Sequence, residues 1–287
     1  MPNMKTKARN KKTATKITKK RFEKNLLPKT KPLALITGAS SGIGFELAKV
    51  FADNNFDLII VAEDSAINEA GQAIRNLGKE VTTLQINLAS FEGVEELCAA
   101  IKGRKIDVAA INAGVGVGGE FIATDLSDEM NMMQLNVVGA VQLAKYLAKD
   151  FVQRGEGGKI LFTSSLAAEM PGPYFAVYAA TKAFIQHFSE ALSFELKEHN
   201  ITVTALQPGA TDTNFFKRAD MLDTKAGKAK KDDPAVVALD GYKALMAGKD
   251  HVVAGSFMNV VQSVVGKIIS EKMGARTQGA QTKSQAY

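Results

Sequence analysis

From Pro32 onward, short apolar runs alternate with amphipathic stretches. Seven runs read as strands: residues 33–37, 57–61, 80–86, 106–111, 159–163, 201–206 and 251–254. Most are apolar almost without interruption, as parallel strands covered on both faces must be. Between them, apolar positions recur at helical spacing. Residues 42–54 follow a glycine-rich turn, and residues 64–77 carry Ile67, Ala70, Ile74 and Leu77 on one stripe before Gly78. Ser90 is expected to cap a helix ending near Gly103, and Ser127 another running to about Gln153; residues 173–199 read as one long helix. Strict alternation of the two kinds of segment predicts an α/β fold, a doubly wound, mostly parallel seven-stranded sheet with helices on both faces.

Two segments depart from this alternation. Residues 212–235 are polar and rich in Lys and Asp. Residues 256–273 place Phe257, Val260, Val261, Val264, Val265, Ile268 and Ile269 at helical spacing. Such an apolar helix could close a substrate pocket, join a subunit interface or touch a membrane. The chain therefore divides into residues 1–31, an α/β domain over 32–255, and an apolar helix with a polar tail over 256–287.

Charge changes the picture at the N-terminus. Residues 1–31 hold twelve Lys/Arg and one acid, a net +11, whereas the remainder holds 24 bases and 29 acids, a net −5. The basic character thus belongs to a tail, which its composition predicts to be disordered. The body offers no basic surface that would call for a nucleic acid. The tail reads foremost as solubilising, with contact to an anionic surface, by residues 1–31 or 256–273, as the sharper alternative. An apolar run long enough to span a membrane is missing from the sequence, and a single cysteine, Cys98, leaves no intrachain disulfide; both agree with a cytoplasmic protein, with peripheral membrane association open. His187, His199 and His251 show no metal-ligand spacing, so no metal site is expected.

Chemistry enters where the first strand ends, at Thr37-Gly38-Ala39-Ser40-Ser41-Gly42-Ile43-Gly44. A strand, a glycine turn and a helix form a phosphate site: the helix terminus offers unpaired N–H groups and a positive dipole end, and glycines let the backbone come close. This is the Rossmann-type arrangement. After the second strand stand Glu63 and Asp64, and Ser41 occupies the turn position where a base could sit. With no Arg or Lys near in sequence, an acid there favours the ribose hydroxyls of NAD over the 2′-phosphate of NADP. Alternatively, Glu63 faces solvent and Asp64 caps the next helix.

Tyr178 and Lys182 are spaced i, i+4, on one side of a helix that begins after Pro171-Gly172-Pro173. A free phenol is too weak an acid to serve as a base at neutral pH, and a nearby ammonium lowers its pKa. Ser165, thirteen residues earlier, could polarise a carbonyl that Tyr178 protonates, or simply cap a turn.

In this order the residues resemble the short-chain dehydrogenase/reductase family over about residues 32–255. The family's glycine motif matches Gly38, Gly42 and Gly44; its Asn-Ala-Gly motif matches Asn112, Ala113 and Gly114; its active-site asparagine matches Asn136; its catalytic serine, tyrosine and lysine match Ser165, Tyr178 and Lys182; and its Pro-Gly motif matches Pro208 and Gly209, with Thr211 and Thr213 following. One departure is Asn87-Leu88, where the family carries an aspartate against adenine; the amide oxygen of Asn87 could still accept there. The resemblance implies an oxidoreductase that moves a hydride between NAD(P)(H) and a carbonyl or secondary alcohol. Ser40, Ser41, Ile43 and Glu63 would join the cofactor site. Lys182 would hold the ribose, and a water near Asn136 would extend the proton path.

A catalytically silent dinucleotide-binding sensor or scaffold is the competing reading. Residues 114–121, 167–175 and 210–235 are expected to set substrate choice, with Val115, Val117, Phe121, Met170, Phe175, Phe215, Phe216 and Met221 pointing to an apolar small molecule. The helices predicted over 127–153 and 173–199 could pair with those of a second copy, giving a homodimer or homotetramer.

Overall fold

Successive residues of the strands go to opposite packing partners. Ala34 and Ile36 of β1 (Leu33–Thr37), with Leu58 and Ile60 of β2 (Asp57–Ala62), join one buried cluster; Leu35, Ile59 and Val61 join another. A strand covered on both faces has to be apolar at every position. The computed structural model describes residues 31–285 and completes the sheet with β3 (Val81–Gln85), β4 (Val108–Ile111), β5 (Gly158–Thr163), β6 (Ile201–Pro208) and β7 (His251–Ala254). The order is β3-β2-β1-β4-β5-β6-β7 with every neighbouring pair parallel. Leu35 pairs with Ile59 on one side and Ala109 on the other.

One face is covered by α1 (Gly42–Asp53) through Leu47 and Phe51, and by α2 (Ala66–Asn76) through Ile67 and Ile74. The other face receives Val94 and Leu97 of α3 (Phe91–Ile101). After α4 (Leu126–Met133) and a π-helical turn, Gln134–Gly139, α5 (Ala140–Arg154) adds Leu143, Leu147 and Phe151 to that second layer, as α6 (Ala176–Glu195) adds Ile185. Two short helices follow β6, α7 (Phe215–Arg218) and α8 (Lys225–Lys228). Then α9 (Pro234–Met246) returns to the first layer through Val237 and Leu245. After β7 come α10 (Phe257–Ile268) and α11 (Glu271–Thr282).

Several expectations are corrected. Asp125, not Ser127, caps α4, and its carboxylate accepts the Ser127 N–H at 2.7 Å. The acid stands one residue outside the helix, where extended backbone aims its oxygen at the unpaired donors. The long helix of 173–199 is shorter, ending at Glu195 and giving way to a 3₁₀ turn, Lys197–His199. The helix expected over 256–273 is two helices. Ile269 and Ser270 adopt extended backbone, and Ser270 caps α11 by accepting the Met273 N–H. The polar tail beyond Met273 is largely helical, to Thr282. Residues 212–235 are not a plain loop: beyond the two short helices, Thr211 bridges to Asp232. The basic tail, apart from Lys31, lies outside the described residues.

The chain leaves β1 for β2 on one side and β4 lies on its other side, so the connections diverge. A crevice opens at the carboxyl ends of such a pair, where ligands enter open α/β sheets.

Candidate active site

The crevice between β1 and β4 leads into a cavity of about 660 Å³. Its floor starts with the glycine turn. Gly38 has a φ of +65°, which glycine adopts at little cost. A Cβ on Gly44 would stand 2.1 Å from the Gly38 carbonyl oxygen, so only a bare backbone closes the turn. α1 begins there with Ser41 in extended backbone and no side chain capping the helix, and without an acid in its first turn. Unpaired N–H groups facing a cleft suit a pyrophosphate, so the residues present fit a dinucleotide.

Most sequence-predicted positions meet along this cavity. Gly38, Ser40, Ser41, Gly42, Ile43, Glu63, Asn87, Leu88, Asn112, Ala113, Gly114, Ser165, Tyr178, Lys182, Pro208, Gly209, Thr211 and Thr213 line it. Gly44 and Asn136 stand behind the wall. The Asn136 amide accepts the Val115 N–H at 3.0 Å and donates to the Val115 carbonyl at 2.9 Å and to the Thr181 hydroxyl at 3.1 Å. It thereby clamps the segment after β4 to α6, from within the π-helical turn. Asn87 offers less than expected as an acceptor, because its amide oxygen already takes the Ala89 N–H at 2.8 Å. Phe121 is out of the site, 66% exposed, and Val117 packs behind the cavity against the cluster around Phe175.

At the inner end, Tyr178 and Lys182 are buried side by side on α6, with the ammonium 5.7 Å from the phenol ring centre. Phe175 stacks on Tyr178 at 4.2 Å and Phe215 leans on it at 5.2 Å. The Ser165 hydroxyl lies near enough to the phenol oxygen to hold its pKa down. Ser165 also accepts the Ala167 N–H at 3.1 Å, so it caps the 3₁₀ turn Leu166–Glu169 while facing the cavity. Lys182 Nζ donates to the Thr163 carbonyl at 2.8 Å. Burial pushes the phenol up to about 12, opposed by the nearby Ser165 hydroxyl, and pulls the Lys182 ammonium down to about 8. The expected lowering of the phenol by its lysine is thus outweighed by loss of water around both groups.

Two contributors carry no local sequence signal. Thr37 accepts the Asn112 and Ala113 N–H groups, each at 3.0 Å. Arg218 lines the cavity and brings its guanidinium to 3.7 Å from Asp64, which corrects the reading that no base lies near the acids. The C-terminal helices also line the cavity, through Val261, Val265, Ile269 and Met273. Of the three roles open to residues 256–273, they wall the cavity.

Comparison with known proteins agrees with this geometry. The sequence profile of the short chain dehydrogenase family matches residues 32–222. The chain belongs to the short-chain dehydrogenase family. The family is one of NAD(P)-dependent oxidoreductases, and the chain resembles a very-long-chain 3-oxoacyl-CoA reductase of Neurospora crassa, 33% identical over 59% of this chain and 53% of that protein. It also resembles retinol dehydrogenase 8 of Bos taurus, 32% identical over 63% of this chain and 59% of that protein. The chain thus spans little more than half the length of these two relatives. A solved short-chain dehydrogenase of Sphingobium yanoikuyae in complex with NADPH superposes with a TM-score of 0.73 at 28% identity, over 77% of this chain and 87% of that one. A 7beta-hydroxysteroid dehydrogenase shares the fold, at a TM-score of 0.77 and 20% identity, over 86% of this chain and 96% of that one.

Gly44→Ala should displace the turn, costing about 1–3 kcal/mol of stability and abolishing NADH binding. Urea unfolding and titration of NADH fluorescence check this; an unchanged protein on both counts would exclude the turn as the phosphate site. A second expectation follows from Lys182. Folded, it loses its proton at about 8, against 10.5 for an ordinary lysine. Between those values the unfolded chain binds more protons, so this residue makes stability rise with pH from about 8 toward 10. Lys182→Met should remove that rise. The urea midpoint of the wild type minus that of the variant should grow over this range, and a flat difference would mean that the ammonium remains hydrated.

Proposed function

We propose that the protein is an NAD(P)-dependent oxidoreductase that interconverts a carbonyl compound and a secondary alcohol, with Tyr178 as the acid/base. The observation that carries this reading is the buried Tyr178, with the Ser165 hydroxyl and Lys182 beside it at the inner end of a glycine-floored cleft. A bound nicotinamide dinucleotide supplies the hydride equivalent, and this chain supplies the proton. The Tyr178 phenol is protonated at neutral pH, as a proton donor to a carbonyl oxygen must be. Ser165 donates to the same oxygen and holds the carbonyl in line. Lys182, an ammonium below about 8, stabilises the phenolate left behind, which is when its charge matters most. Its second task is to hold the cofactor ribose. Asn136 acts as a positioning residue, since its amide holds Val115 and Thr181 in register around the tyrosine and lysine.

Gly38, Ser40, Ser41, Gly42, Ile43 and Gly44 take the pyrophosphate, Asn87 and Leu88 the adenine edge, and Asn112, Ala113 and Gly114 the wall between the two halves. Pro208, Gly209, Thr211 and Thr213 flank the nicotinamide. Glu63 and Asp64 tilt the choice toward NAD. The substrate is an apolar carbonyl compound, because Met170, Phe175, Phe215, Val265, Ile269 and Met273 line its end of the cavity. Met130, Met133 and Phe184, 54%, 41% and 44% exposed on α4 and α6, support assembly with a second copy through those helices. Among the described residues no helix is long and apolar enough to cross a membrane. Any contact with an anionic surface would be peripheral, through residues 1–31 or 256–273.

Tyr178→Phe should bind NADH as the wild type does and lose about 10²–10⁴-fold in turnover. A panel of apolar ketones followed by NADH absorbance, with NADH binding measured in parallel, provides the check. Turnover within a few-fold of the wild type would remove Tyr178 from the chemistry.

A further inference from the structure

The loop between β6 and α9 reaches both ends of the cleft. Phe215 and Arg218 are one turn apart on α7 and both line the cavity. Phe215 meets Tyr178 at 5.2 Å, while Arg218 meets Asp64 at 3.7 Å. The turn is held in that attitude by the Ala219 carbonyl, which accepts the Gly118 N–H at 3.0 Å, and by Met221 N–H to the Phe216 carbonyl at 2.9 Å.

We propose that Arg218 is a cofactor-specificity residue, the cationic partner of the adenosine 2′-phosphate of NADP(H), supplied by the loop that also covers the substrate. The proposal rests on the dinucleotide reading above. Asp64 closes the second βα turn, where the ribose of a bound dinucleotide comes to lie. Its Oδ2 accepts from the Ser40 hydroxyl at 3.0 Å, which fixes the carboxylate at the rim of the glycine turn. Glu63 lines the same stretch of wall, so two acids face that end. Two cations line the cavity among the described residues, and Lys182 is at the inner end on the Thr163 carbonyl, which leaves Arg218 for the ribose end.

The pair with Asp64 is half in solvent, the side chains 50% and 34% exposed, and an ion pair so placed adds little to stability. Its Arg is therefore free to exchange partners at little cost. A guanidinium matches phosphate oxygens with two parallel N–H groups, which a carboxylate at 3.7 Å does not engage closely. The consequence is a narrow preference. The acids favour NAD, and Arg218 keeps NADP(H) from being rejected.

Dissociation constants for NADH and NADPH decide the matter. The protein has no tryptophan, so the fluorescence of the reduced nicotinamide can be read directly. Arg218→Ala should weaken NADPH by about tenfold or more and NADH by less than about twofold. The NADPH loss should persist in an Asp64→Asn background, because the contact is to the phosphate itself. Equal weakening of both nucleotides would assign Arg218 to the pyrophosphate and overturn the proposal, as would no weakening. A loss that disappears in the Asp64→Asn background would also overturn it, since Arg218 would then only screen the acid. Wild-type protein that binds neither nucleotide would instead remove the dinucleotide reading.

Discussion

Thr37, Asn112 and Thr163 form a chain of hydrogen bonds that joins the glycine turn to Lys182. The Thr37 hydroxyl takes two N–H groups from the end of β4. The Asn112 amide then donates to the Thr37 carbonyl at 3.2 Å and accepts from the Thr163 hydroxyl at 2.9 Å. Thr163 in turn presents its carbonyl to the lysine ammonium. Three strand ends that would each leave polar groups unpaired at a crevice are satisfied by one another. The same bonds fix how far the glycine turn after β1 stands from the lysine on α6. Chemistry that needs a cofactor and a proton donor in fixed relation depends on that spacing. Polar side chains at the carboxyl ends of central strands thus do structural and functional work together.

The inner end of the site is built against its own stability. A phenol and an ammonium are packed among Phe175, Phe215 and the sheet, where neither charge has much water. The phenol stays protonated and the ammonium is easily discharged. This poise suits a donor whose product is a phenolate: the cation gains a partner only as the proton leaves. Ligand-free, the lysine rests on a carbonyl, a neutral acceptor that compensates desolvation only in part. The rest of the core, apolar and well covered on both faces of the sheet, can support a site strained in this way.

What could be read in the residue pattern, and what could not, follows from how local each signal is. The strands declared themselves because burial on both faces leaves an unbroken apolar run. The glycine turn was visible because its constraint, a backbone without Cβ beside Gly38, lies within seven residues. The i, i+4 spacing of Tyr178 and Lys182 survived because one helix carries both. Errors arose where two local choices compete. Asp125 and Ser127 can both cap a helix, and only the backbone geometry decides. The apolar stripe past Val265 runs on across Ile269 although the helix breaks there, because both helices turn that stripe to the same cavity. Burial of Tyr178 could not be weighed against its lysine from spacing alone. Arg218 and Asp64 are far apart in the chain and meet only because α7 folds back over the cleft.

That fold-back gives the loop after β6 an unusual reach. Thr213 packs on Gly42 so closely that a Cβ there would come within 2.9 Å of its methyl group, which ties the start of the loop to the glycine turn. Phe216 and Met221 anchor its middle in the cluster around Tyr178. Its far end is held by Asp232, which accepts from Asn259 of α10 at 2.7 Å and from the Ser256 N–H at 3.2 Å. Asn259 also fills the space beside Gly209, leaving no room for a side chain there. The loop therefore cannot shift at one end without disturbing the glycine turn, the tyrosine or the C-terminal helices. Under the function proposed above, the residue at the ribose end and the residue against the tyrosine therefore belong to one packed element.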